Sequence, residues 1–290
     1  MEQIVYLNGE FLPIARAQVS VLDRGFIFGD GVYEVIPVYS RHPFRLGEHI
    51  TRLQQSLAGL RLADPLTTEK WQSLVRELVA RNAPDDQSVY IQLTRGVAPR
   101  DHAFPRDTPP TVFMMSSALI TPPPAQIEEG VTAISARDIR WDRCDIKAVS
   151  LLPNVLLRQL AVDAGAAETV LFRDGMLTEG AASNIFAVER DTLLAPPKDN
   201  HMLPGITYDL VLELAAAHAV AVEIGHFPEA RIRAADELWI TSSTREVLAV
   251  VALDGQPVGN GEPGPLYRRM YGWYQDYKQR VMRHGETAHG

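Results

Sequence analysis

The chain opens on a short alternation of apolar and polar residues. Ile4-Val5-Tyr6-Leu7 leads to Asn8-Gly9 and then Glu10-Phe11-Leu12. Asn-Gly suits the positive φ angles of a two-residue turn, so a β-hairpin is expected here. In the stretch Asp23–Val35, Gly25, Gly29 and Gly31 flank short apolar pieces, which predicts a sharply bent backbone that continues as a strand. The period then changes. Leu46, Ile50, Leu53, Leu57 and Leu60 share one face of a helix over 46–60, and Trp71, Leu74, Val75, Leu78 and Val79 do so over 68–82, with Thr67 or Thr68 as cap. Val89, Ile91 and Leu93 alternate with Tyr90, Gln92 and Thr94, a strand pattern. Residues 96–110 hold four prolines and read as a loop, and 111–118 as a strand.

Thr121-Pro122-Pro123-Pro124 stiffens the chain without a helix or strand to join, and reads as a linker. The expected organisation is a small domain over 1–119, a linker over 120–125 and a larger domain over 126–290, which carries Lys147. In the larger part the pattern predicts a strand at 131–136 and a helix at 153–164 ended by Gly165. A hairpin turns at Asp174-Gly175, a strand runs through Ile185–Val188, and a helix spans 206–219. Strands at 220–225 and 237–241, a hairpin from Val250 through Gly255 and a terminal helix at 265–283 complete the chain. Hairpins mixed with helices give two α+β domains rather than regular βαβ units.

Composition narrows the function. The 290 residues suffice for two domains, and 46% hydrophobic content is ordinary for a globular protein. A net charge of −8 argues against a general nucleic-acid binder, though a few local cations still suffice for a small anion. The single cysteine, Cys144, excludes an internal disulfide and a cysteine metal cluster, and the histidines lack metal-ligand spacing, so no metal is expected. The N-terminus lacks a signal-peptide profile and no apolar run reaches the roughly 20 residues of a membrane span, so a cytoplasmic protein with no membrane partner is expected.

Candidate chemistry centres on Lys147, between Ile146 and the Val149-Ser150-Leu151-Leu152 run. A lysine near pKa 10.4 is protonated and a poor nucleophile, and burial among apolar neighbours lowers that value and opens imine chemistry. An exposed lysine is the commoner fate of such a residue. Two segments have donors for a phosphate. Leu203-Pro204-Gly205-Ile206-Thr207 enters a helix, and Thr241-Ser242-Ser243-Thr244 offers four successive hydroxyls; ordinary capping and turn chemistry account for each equally well. Glu179, in the small-residue stretch Thr178–Asn184, is either a turn acid or a partner for a ring nitrogen. Arg100 and His102, at i and i+2 in the loop, are either a solvated pair or a carboxylate clamp.

Several motifs, taken together and in order, resemble the fold-type IV pyridoxal 5'-phosphate (PLP) enzymes, and more narrowly the D-amino-acid aminotransferases. They are Asp23-Arg24-Gly25 through Phe28-Gly29-Asp30-Gly31-Val32-Tyr33-Glu34, Glu48-His49-Ile50-Thr51-Arg52-Leu53, Thr94-Arg95-Gly96 through Arg100-Asp101-His102, Asp145-Ile146-Lys147, Thr178-Glu179-Gly180 and Leu203-Pro204-Gly205-Ile206-Thr207. The resemblance spans nearly the whole chain. It implies that Lys147 holds PLP as a Schiff base and moves the proton, that Glu179 pairs with the pyridine nitrogen and that Leu203 packs on the ring. Arg52, Ile206, Thr207, Ser242 and Ser243 would hold the phosphate. Tyr33, Arg100 and His102 would hold the substrate carboxylate, with Ser183 and Thr244 nearby. Arg100 and His102 would reach in from a second subunit, so a homodimer with shared active sites is implied.

The implied reaction is ping-pong amino transfer from a D-amino acid such as D-alanine to a 2-oxo acid such as 2-oxoglutarate. Branched-chain L-amino-acid and (R)-amine aminotransferases, an aminodeoxychorismate lyase and a non-catalytic PLP-binding protein share the fold and stand as alternatives. The chain departs from its relatives where Ala181 and Ala182 replace hydroxyls common after Thr-Glu-Gly, and where Ser243 replaces a common threonine.

Overall fold

The computed structural model describes residues 2–285. The chain divides into two compact units: Met1–Leu119 with Ile146–Leu151 and Gln279–Gly290, and Ile120–Asp145 with Leu152–Lys278.

In the first unit, β1 (Ile4–Leu7) and β2 (Glu10–Pro13) form the opening hairpin, with Asn8 at φ 48° and Gly9 at φ 109°. The bend after Asp23 is a short helix, α1 (Arg24–Phe28), whose first turn is capped by the Asp23 carboxylate accepting from Gly25 N at 2.8 Å. Then come β3 (Gly31–Tyr39), β4 (His42–Pro43), α2 (Leu46–Gly59), α3 (Thr68–Arg81), β5 (Gln87–Thr94) and β6 (Thr111–Ala118). The strands make an antiparallel sheet in the order β2-β1-β6-β5-β3-β4.

Val32, Ile36 and Val38 of β3 pack with Ile50, Leu53, Trp71 and Val75 of the two helices, so even-numbered β3 residues belong to the core. Ile146 and Ala148 join that core. Backbone bonds hold their segment to β3: Tyr33 N donates to Lys147 O at 2.9 Å, and Val149 N to Gly31 O at 3.0 Å. The lysine expected on the C-terminal domain therefore sits in the first compact unit.

In the second unit the proline run differs from expectation. It ends in a helix, α4 (Pro124–Glu129), because a proline at the first helical position gives up only an N–H that has no partner there anyway. Next come β7 (Val131–Arg137), α5 (Leu152–Asp163), β8 (Glu168–Arg173), β9 (Met176–Gly180), β10 (Asn184–Glu189), β11 (Thr192–Ala195) and α6 (Ile206–Ala217). The unit finishes with β12 (Val222–Ile224), α7 (Glu229–Arg233), β13 (Glu237–Ser242), β14 (Glu246–Leu253), β15 (Gln256–Pro257) and α8 (Pro265–Tyr277), which runs into a π-helical turn at Lys278–Met282.

The sheet order is β12-β11-β10-β13-β14-β7-β8-β9, with β15 on β14. The pairs β14–β7, β7–β8 and β11–β12 are parallel, so β7–α5–β8 is one βαβ step inside an otherwise hairpin-built α+β unit. The continuously buried run Glu168–Phe172 fits a strand covered on both faces. No helix among the described residues is long and apolar enough to cross a membrane.

Candidate active site

The chain has four lysines. Lys198 is ion-paired with Asp209, Lys278 with Glu246 at 2.5 Å, and Lys70 is exposed on α3. Lys147 alone stands half-buried between two core residues with no carboxylate partner among the described residues. Its Nζ lies 4.3 Å from the Tyr33 ring centroid and its backbone N–H donates to Ser56 Oγ at 3.1 Å. The local cause is the β3 edge, which fixes the lysine backbone beside Tyr33.

One residue further along β3 and on its core face is Glu34, wholly buried. Arg52 of α2 grips it with both ends of the guanidinium, Nε to Oε1 at 2.7 Å and Nη2 to Oε2 at 2.9 Å. His49, one turn earlier on the same helix face, contacts Oε2 through Nδ1 at 2.8 Å. Burial opposes a charge on Glu34, yet the Arg52 charge and hydrogen bonds, with His49, hold its carboxyl well below the usual range. Burial pushes the His49 imidazole below its ordinary value despite Glu34, so the ring is neutral. An ionised carboxylate only accepts, so Nδ1 carries the proton and Nε2 is a bare acceptor, buried without a hydrogen-bond partner among the described residues. Glu34, itself held by His49, thus fixes the rotamer of Arg52, the expected phosphate ligand.

The loop with Arg100 and His102 is pinned rather than loose. Arg24 donates through Nη1 to Asp101 O at 2.5 Å, while Asp30 bridges Arg24 Nε and Arg95 Nε, each at 2.8 Å. Arg100 and His102 are exposed and both meet Phe28: the guanidinium carbon is 5.5 Å, and the imidazole centroid 5.3 Å, from its ring. The two side chains do share one side of the loop.

In the second unit, Glu179 closes β9 and is buried. It takes an ion pair from Arg140, a bond from Asn184 Nδ2 at 3.1 Å and the Leu203 N–H at 3.2 Å. Arg140 is itself held by Asp138, through Nη2 to Oδ2 at 2.8 Å. Burial opposes the charge on Asp138, but Arg140 and then Arg173 keep its carboxyl down at about 2. Burial outweighs the same Arg140 at Glu179 and pushes its carboxyl up to about 7. A further cation docked on Glu179 would therefore restore its charge near neutral pH, and a protonated ring nitrogen is such a cation.

Asn184 ties this acid to the next segment. Its amide donates to Leu203 O at 3.0 Å, and a Cβ on Gly205 would meet Asn184 Oδ1, so a larger residue there would displace this amide. Gly205 starts α6 without a side-chain cap, which leaves the N–H groups at Ile206 and Thr207 with no side-chain acceptor, a natural anion site. Ser242 ends β13 and Ser243 and Thr244 follow it in a turn, where Ser242 Oγ accepts from Arg245 N at 3.2 Å. Thr241 Oγ1 just before it is buried without a hydrogen-bond partner among the described residues. Ser183, expected near substrate, instead donates its hydroxyl to the buried Glu168 at 2.8 Å, which also accepts from Arg245 at 3.0 Å.

Taken separately, each unit offers groups that PLP chemistry can use: the first a lysine amine without a carboxylate partner and a clamped arginine, the second a helix start open to an anion and a buried acid. Sequence reasoning missed Glu34, His49, Asp138, Arg140, Glu168, Asn184 and Arg245. Glu34 had a signal: a charged residue at an inward position of a strand otherwise apolar on that face. Cys144 is buried, its thiol is pushed up to about 11 chiefly by burial, and among the described residues no group of acids, histidines or cysteines could hold a metal.

Residues 31–253 match the model of the amino-transferase class IV family, and the chain belongs to that family. Among its relatives, the D-alanine aminotransferase of Bacillus licheniformis is 39% identical over 266 residues, 92% of this chain and 94% of that one. That of Staphylococcus haemolyticus is 37% identical over 273 residues, 94% and 97% of the two chains. Among solved structures, a T.th. branched-chain amino acid aminotransferase with pyridoxamine 5'-phosphate superposes with a TM-score of 0.89 at 26% identity, covering 95% of this chain and 94% of the other. The same enzyme complexed with N-(5'-phosphopyridoxyl)-L-glutamate gives 0.88, with the same identity and coverage.

Proposed function

We propose that this chain is a PLP-dependent aminotransferase of D-amino acids, moving the amino group of a donor such as D-alanine to a 2-oxo acid such as 2-oxoglutarate, with pyruvate and D-glutamate as products. The observation that carries the PLP assignment is the lysine census: only Lys147 is half-buried and free of a carboxylate. The relatives at 37 and 39% identity carry the choice of D-alanine.

In this reading PLP supplies an aldehyde carbon for the amine and a ring that accepts electrons. Lys147 would hold the cofactor through Nζ and would carry the transferred proton on that same atom. Glu179, oriented by Arg140, Asn184 and the Leu203 N–H, keeps the ring nitrogen protonated, and Leu203 covers the ring. Arg52, locked by Glu34 and His49, binds the phosphate with the N–H groups of Ile206 and Thr207 and the hydroxyls of Ser242 and Ser243. Tyr33 holds the substrate carboxylate, and Arg100 and His102 do so from a second copy. Thr244 stays beside substrate, and Ser183 acts at one remove by fixing Glu168.

The branched-chain reading is favoured only by shared fold at 26% identity. Steady-state assays with 2-oxoglutarate separate the two: D-alanine is expected to exceed L-leucine in kcat/KM by at least tenfold, and the reverse order sinks the D-specific reading.

The same reading makes the active protein a homodimer. Helix α5 leaves Leu152, Val155, Leu156 and Leu160 exposed at 69, 59, 53 and 47%, an apolar stripe that a second copy would bury. Light scattering is expected to give twice the 32.2 kDa chain mass. A monomer with full activity contradicts shared active sites.

A further inference from the structure

A cavity of about 620 Å³ lies in the second unit, lined among others by Pro123, Gln126, Arg158, Thr244, Arg245 and Leu248. Its volume is that of a small-molecule site. It does not include the acid or the helix start described above, since Glu179, Leu203, Ile206 and Thr207 do not line it, and of the residues assigned to the proposed site it shares Thr244 alone. No aspartate or glutamate lines it either, in a chain of net charge −8.

Its two arginines are under-supplied with acceptors. Arg158, on α5, has its Nη1 buried with no hydrogen-bond partner among the described residues. A buried donor in that state loses its bond to water and gains nothing in return. Arg245 donates through Nη1 to Glu168 Oε2 at 3.0 Å, but the same oxygen accepts from Ser183 at 2.8 Å and the other from Thr169 N at 2.9 Å. The charge of Arg158 bears on Arg245, adding to the burial that already lowers the latter's pKa. The one wholly buried carboxylate nearby, Glu168, is paired with Arg245, which leaves the positive charge of Arg158 unbalanced at the cavity wall.

We propose that this cavity binds a small oxyanion, held by Arg158 Nη1 and the Arg245 guanidinium. Carboxylate and phosphate oxygens match a guanidinium fork in pairs, and either would give Arg158 the acceptor it lacks while offsetting the second positive charge. The apolar side at Pro123 and Leu248 leaves room for a short carbon chain behind the charged head.

Isothermal titration of the holoenzyme in chloride buffer tests this, using inorganic phosphate and, separately, succinate. Saturable binding of at least one of them is expected, and the tighter of the two tells a phosphate from a carboxylate source. Arg158→Gln is expected to weaken that binding about tenfold or more, the size of a lost charge-assisted hydrogen bond, and Arg158→Lys to weaken it less. A second titration, of the protein without PLP, keeps the two readings apart: phosphate binding that appears only without PLP is at the α6 start and belongs to the PLP reading, whereas binding that persists with PLP and falls in Arg158→Gln is at this cavity. No saturable binding, or equal binding to Arg158→Gln, overturns the proposal. If Arg158→Gln does not fold, a crystal of the unaltered holoenzyme soaked in the tighter anion decides: the anion within hydrogen-bond distance of Arg158 Nη1 supports the site, and its absence there overturns it.

Discussion

Lys147→Ala is expected to remove amino transfer almost completely while leaving the fold intact. Loss of positioned proton transfer alone costs about 10²- to 10⁴-fold in kcat, and loss of the covalent anchor adds to it. The fold should tolerate the change because Lys147 has no carboxylate partner to orphan. Its structural contribution is made by the backbone, through Tyr33 N and Ser56 Oγ, and alanine keeps both bonds. The check is turnover of D-alanine with 2-oxoglutarate beside a urea titration of each protein. A variant that turns over within tenfold of the parent, with the same unfolding midpoint, removes Lys147 from the chemistry.

Glu34→Ala is expected to act on stability first and on cofactor binding second. It strips the carboxylate from an Arg52 whose side chain is only 7% exposed, and breaking a buried ion pair from one side costs about 3–5 kcal/mol. The milder Glu34→Gln keeps shape and loses charge, at roughly 1–3 kcal/mol. With Arg52 no longer clamped, PLP affinity is expected to fall about 10- to 100-fold, one charged hydrogen bond's worth.

The pH dependence has a definite sign. The folded Glu34 carboxyl lies below its ordinary value of 4.5, so the folded state binds this proton less readily than the unfolded chain does. Its contribution is therefore fully present above about pH 4.5 and is lost as pH falls toward the lower folded value. Urea midpoints for the parent should drop across that interval more steeply than those of Glu34→Gln. Parallel slopes would mean that Glu34 is not ionised against Arg52.

How much of this was legible in the chain depended on periodicity. The hairpin at Asn8-Gly9, the two helices over 46–60 and 68–82, and the β8–β9 turn at Asp174-Gly175 all have a repeat that matches one element and no other. β11 escaped because Thr192–Ala195 is four residues long and runs into Pro196-Pro197, too short for a period to show. The site was legible as residue types and motif order, since Lys147, Arg52 and Glu179 each carry the functional group the chemistry needs. Their partners were not.

Asp138 and Arg140 lie in irregular chain, where spacing says nothing about which acid an arginine will find. Glu168 begins a strand and reads like any strand-end acid, yet it is wholly buried and joins Ser183 to Arg245 from distant positions. The contact itself was not legible either: a hydroxyl next to an expected site is silent about which acceptor has already taken its proton. Lys147 itself was assigned to the wrong compact unit, because a six-residue segment held by backbone bonds to β3 carries no mark of that pairing in its side chains.

The most direct test of the PLP assignment is to load the protein with PLP, reduce it with borohydride and map the modified peptide by mass spectrometry. The cofactor is expected on Lys147 alone. Finding it on Lys70, Lys198 or Lys278, or on no lysine while D-alanine is still turned over, would contradict the account.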